Sequence, residues 1–140
     1  MAVALTPGAT RDYVLKAERE LPPEQRSVFV MRAVPLSVRA QFGMLLGRAA
    51  GEDPFAGADQ GELSRLYVLA LRTSLVGWRN FRTADGADVL FQAAPLEVNG
   101  QRIQGAPTDA TLDLLDTATM AELGAEALQS MVLGRTDALG

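Results

Sequence analysis

The residues able to do chemistry in this 140-residue chain are arginines and carboxylates. There is no cysteine and no histidine, which removes disulfides, thiol nucleophiles, Ser-His and Cys-His pairs and nearly all zinc sites. Carboxylate catalysis or a magnesium site would call for clustered Asp and Glu, and the sequence spells neither an EF-hand loop nor a Walker motif. That inventory argues against an enzyme, and the expectation is a protein with no catalytic residue, no cofactor and no metal. Ion pairing is what remains. Arg65, Arg72 and Arg79 fall seven apart, so a single helix carrying all three would line them in one stripe. Asp109, Asp113, Asp116 and Glu122 supply acids that such a stripe could meet on an adjacent copy of the chain. The alternative for the same spacing is a solvated helix face.

The net charge of -4 conceals an uneven layout. Residues 1–50 carry seven bases against four acids, whereas residues 85–140 carry two bases, Arg102 and Arg135, against nine acids. A layout of this kind suits head-to-tail packing between copies, or docking on charged partners, and argues against direct nucleic-acid binding, which needs a concentrated basic face. It also fits two merely solvated faces. The N-terminus lacks the basic start and long apolar stretch of a signal peptide, and no window approaches a membrane span, so the chain is expected to stay in the cytoplasm that made it.

A hydrophobic share of 48% and a charged share of 21% are ordinary for a folded protein, and 140 residues suffice for one domain with a real core. The fold class expected is α+β in one domain: an N-terminal strand pair, two central helices, a small β-hairpin and C-terminal helices. Residues 1–10 read as a flexible arm, 11–134 as the domain and 135–140 as a polar tail. Asp12–Glu18 and Ser27–Val34 are rich in β-branched and aromatic residues, and Leu21-Pro22-Pro23-Glu24 between them can carry no strand, which predicts two strands joined by a turn.

A first helix is expected from Ser37 to about Ala50, burying Val38, Phe42, Leu45 and Ala49. A second opens at Asp59, with Glu62 three residues later in a capping-box arrangement, and runs through Leu63, Leu66, Ala70, Leu71 and Leu75 towards Gly77. Trp78 and Phe81 read as core anchors beneath the tight turn marked by Asp85-Gly86. Asn99-Gly100, between Leu96-Glu97-Val98 and Gln101-Arg102-Ile103, is a strong short-range hairpin signal and predicts a small exposed hairpin that could serve as a contact finger. A short helix over Thr108–Leu115 precedes a longer one, capped by Asp116 or Thr117 and reaching Leu133, whose stripe is Met120, Leu123, Ala127, Leu128 and Met131.

The order of these features resembles a family of tailed-bacteriophage virion morphogenesis proteins. The resemblance is carried by Tyr13-Val14-Leu15-Lys16, the charged turn Glu18–Gln25, the phrase Pro35-Leu36-Ser37-Val38-Arg39, and Leu75-Val76-Gly77-Trp78-Arg79-Asn80-Phe81 followed by Asp85-Gly86 and Val89-Leu90-Phe91. It ends on Thr111–Leu115 and Ala121–Ala127, and covers most of the chain, although Glu97–Gly105 is less familiar. Trp78–Phe81 is its most distinctive part. The resemblance implies a structural component of the virion, made in the host bacterial cytoplasm, acting at the head–tail neck or tail region with other phage structural proteins and copies of itself as partners. A tail-assembly chaperone absent from the finished particle, or a capsid decoration protein, fits the same resemblance. The expected interface set is Arg65, Arg72, Arg79, Asn99, Gly100, Asp109, Asp113, Asp116 and Glu122.

Overall fold

The computed structural model describes residues 9–34, 38–40, 60–98 and 100–132. Helices and antiparallel strands share one core, so the α+β expectation holds. Strands β1 (Thr10–Val14), β2 (Val28–Arg32) and β3 (Leu75–Arg79) form an antiparallel sheet in the order β1-β2-β3. Helix α1 (Gln60–Ser74) lies between β2 and β3 in sequence. A second, two-stranded sheet pairs β4 (Ala93–Val98) with β5 (Gln101–Pro107), and the short α2 (Asp109–Leu112) and long α3 (Thr117–Val132) follow.

Alternation along β2 sends Phe29 and Met31 into the core while Val28, Val30 and Arg32 stay half-buried on the other face. Opposite them stand Tyr13 on β1 and Trp78 and Leu75 on β3, in register with Phe29 and Met31. The turn between β1 and β2 holds itself together. Arg26 donates to the carbonyls of Leu21 at 2.7 Å and Arg19 at 2.8 Å, and Glu18 accepts from the Ser27 amide at 2.7 Å. Thr10, expected at the end of an arm, opens β1, and the Ala9 carbonyl already accepts from the Ala33 amide.

The helices α1 and α3 cover the sheet with Leu66, Ala70 and Leu71 facing Leu123, Ala127 and Leu128. Their approach depends on Gly124, where a Cβ would stand 2.9 Å from both the Cβ and the carbonyl oxygen of Tyr67. Asp116 caps α3 as expected, its Oδ1 accepting from the Thr119 amide at 2.7 Å. Val38, Arg39 and Ala40 are helical and Val38 is buried; the rest of the first expected helix, Asp59 of the expected cap and the side chains of Glu62 and Met131 lie outside the described residues.

The strand expected to run to Glu18 ends at Val14 and gives way to a 3-10 turn over Lys16–Glu18, and a further boundary also departs from expectation. Helix α1 stops at Ser74 and passes into β3 with no intervening loop, so Leu75–Arg79 is strand and not a continuation towards Gly77. The cause is non-local. Arg32 on β2 reaches across and its Nε donates to the Thr73 carbonyl at 2.8 Å, satisfying an orphan carbonyl at the helix C-terminus with a cation, while Leu75–Arg79 completes the ladder with β2. The same guanidinium donates through Nη1 to the Gln104 carbonyl on β5, tying helix, sheet and hairpin together.

Beneath the Asp85-Gly86 turn, Trp78 packs edge-on to Phe29, Phe81 and Phe91, with centroids 6.2, 4.9 and 5.0 Å away. Its indole Nε1 donates to the Val89 carbonyl at 2.8 Å. Asn80 ends β3 at φ 57°, a left-handed conformation that Asn tolerates, and its amide donates to the carbonyls of Glu24 and Arg26.

Candidate interface surfaces

The nine residues expected at an interface separate into three groups once folded. The first is structural. Glu122 on α3 accepts the Tyr13 hydroxyl at 2.7 Å and the Lys16 amide at 3.0 Å. Burial and the hydrogen bond to this carboxylate push the Tyr13 phenol up to about 12. Beside it, Arg11 pairs with Glu126 at 3.0 Å and donates to Ser130 at 2.8 Å. One N-terminal base, Arg11, and one C-terminal acid, Glu126, thus pair within one chain, along a seam between β1 and α3, and that part of the charge asymmetry read from the sequence cancels internally. Asp116 is likewise occupied by its own helix, and the hydrogen bonds from Thr119 hold its carboxyl below the usual range.

The second group is displaced. Arg79 stands on β3, so the stripe read as three arginines on one helix has two members. Its guanidinium meets Asp12 at 2.6 Å, with both side chains more than half exposed, and the bidentate geometry holds the Asp12 carboxylate on the outer face of the sheet. Gly100 occupies the hairpin turn at φ 81°, while Asn99 lies outside the described residues. The hairpin itself is no projecting finger. Val98, immediately before the turn, is only 5% exposed, Ile103 and Ala106 are buried with it, and β5 packs on β3 and α1. Strand alternation turns one whole side of the hairpin to the core, which two turn residues alone do not reveal.

The third group remains at the surface. Arg65 and Arg72 line an open apolar groove on α1 together with Ser64, Val68 and Leu69. Arg72 sends Nη2 to Asp109, at the first turn of α2, while its buried Nε has no hydrogen-bond partner among the described residues. Arg65 and Asp113 are exposed and form no ion pair among the described residues. Asp113 follows α2 directly, and the next residue, Leu114, is 52% exposed.

Two exposed leucines escaped the sequence reading. Leu90 is 77% exposed because Phe91 turns inward to Trp78 and leaves its neighbour outside; Leu114 is turned outward between buried Leu112 and Leu115. A run of apolar residues such as Val89-Leu90-Phe91 signals burial without saying which member is excluded. Arg32 was also missed, since an arginine within a strand gives no local sign of the carbonyls it will reach. Among the described residues no group of three Asp or Glu is placed to hold a metal ion, and no helix is long and apolar enough to cross a membrane. Comparison with protein-family models, with curated proteins and with solved structures finds no match to this chain.

Proposed function

We propose that this chain is a structural component of a tailed-phage virion, acting through protein–protein contacts at the head–tail neck or tail region. The observation that carries the reading is the chemistry left unspent on the surface: exposed Leu90, exposed Leu114 next to Asp113, and an apolar α1 groove rimmed by arginines. These are groups that gain by being covered, in the manner of an interface with an apolar centre and a charged rim. The resemblance to phage morphogenesis proteins supports the same reading. Its most distinctive phrase, Trp78–Phe81, belongs to the aromatic cluster around which β3 and the Asp-Gly turn are built, which is where a shared fold would leave its mark.

Mass spectrometry of purified virions tests the proposal. Presence of the chain at a ring-like copy number relative to the major capsid protein is the expected result. Absence from the finished particle would overturn it in favour of a tail-assembly chaperone, and presence at hundreds of copies would move it to the capsid surface or tail tube.

A further inference from the structure

The α1 groove and the Asp113-Leu114 turn are complementary in apolar character and in charge. The groove presents Val68 and Leu69 with Arg65 on its rim; the turn presents an exposed leucine with an acid next to it. Arg65 and Asp113 are the members of their respective clusters that form no ion pair among the described residues, whereas Arg72 and Asp109 already pair within the chain. The internal pair also shows that an acid on the α2 segment can seat against an arginine of this helix. Leu114 remains half exposed, so the chain does not fill its own groove with it.

We infer that the occupant of the groove is a second copy of this chain, whose Leu114 enters between Val68 and Leu69 while its Asp113 meets Arg65. The inference rests on the reading of the protein as an assembly component and specifies which surfaces join. Burying the leucine supplies the attraction, and the Arg65–Asp113 pair sets the register, since a like charge at either position would be left facing its own sign. Leu114, Asp113 and Arg65 lie at the surface, so substituting them leaves the core intact.

Sedimentation equilibrium of the full chain, with far-UV circular dichroism to check folding, gives the test. The wild type should self-associate, Leu114→Asp, Arg65→Glu and Asp113→Arg should each weaken association by about tenfold or more, and the double variant Arg65→Glu/Asp113→Arg should recover most of it. A wild type that stays monomeric at high concentration, or single variants that associate unchanged, would overturn the inference. So would single losses without recovery in the charge-swapped pair, which would mean that the two residues do not face each other. The virion measurement is independent of these outcomes: a chain found in particles yet monomeric in solution would retain the proposed function and lose this interface.

Discussion

The seam between β1 and α3 and the groove on α1 use the same chemistry, arginine against carboxylate, to opposite ends. At the seam Arg11 and Glu126 are each less than one-fifth exposed, Ser130 accepts a further hydrogen bond from Arg11, and Glu122 beside them accepts from the Tyr13 hydroxyl and the Lys16 amide. At the groove the Asp109 side chain that meets Arg72 is 79% exposed, and Arg65 and Asp113 stand without an ion-pair partner among the described residues. The difference teaches that spacing in sequence identifies charged groups but not their duty. Burial assigns it: a desolvated pair whose partners are all present holds the fold, and removing one member strands the other, whereas exposed charges contribute little to folding and are free to choose a partner.

The largest effect expected from breaking this contrast is at the helix crossing next to the seam. Gly124→Leu should destabilise the protein by about 3 kcal/mol or more in denaturant unfolding, because the side chain would have to displace the backbone of Tyr67. Glu122→Ala should cost about 2 kcal/mol by the same measurement, leaving the Tyr13 hydroxyl and Lys16 amide without their acceptor.

A pH series sharpens the same point. The folded-state pKa of Tyr13 lies above its usual value of 10.0, at about 12, so the fold favours the protonated phenol. Its contribution to stability is complete below about pH 10 and is lost as pH rises towards 12, and Tyr13→Phe should abolish that part of the decline. Tyrosinate absorbance should show a late-titrating component that Tyr13→Phe removes. The smallest effect belongs to the exposed counterparts. A double-mutant cycle on Asp12 and Arg79 should return a weak coupling that shrinks with added salt, since both side chains are more than half exposed, and Arg65→Glu should leave unfolding within about 0.5 kcal/mol of wild type. A large coupling at Asp12–Arg79, or no loss of stability in Glu122→Ala, would reverse the contrast.

Much of the fold was legible where the signal was local. The paired strands around Leu21–Gln25, the β4–β5 pairing that closes at Val98 and Gln101 and the α3 stripe of Leu123, Ala127 and Leu128 follow from turn residues and periodicity. What was not legible depended on partners far along the chain. Helical periodicity runs on past Ser74, and only the Arg32 contact and the β2 ladder convert Leu75–Arg79 to strand, removing Arg79 from the helical stripe. Glu122 read as a free surface acid because nothing near it in sequence announces Tyr13, which lies 109 positions away. The exposure of Leu114 depended on how α2 settles against Gln92, through the Thr111 hydroxyl that donates to the Gln92 carbonyl at 3.1 Å.

The direct passage from α1 into β3 has a practical consequence. With no loop to absorb motion, a displacement of the grooved helix is carried into the strand bearing Trp78, whose ring sits against three phenylalanines and whose indole N–H is held by the Val89 carbonyl. Trp78 is the chain's single tryptophan, so its emission is an unshared signal. The molecule therefore carries its own optical gauge, mechanically joined to the helix on which a neighbour would dock, and occupancy of the groove can be followed without attaching a label.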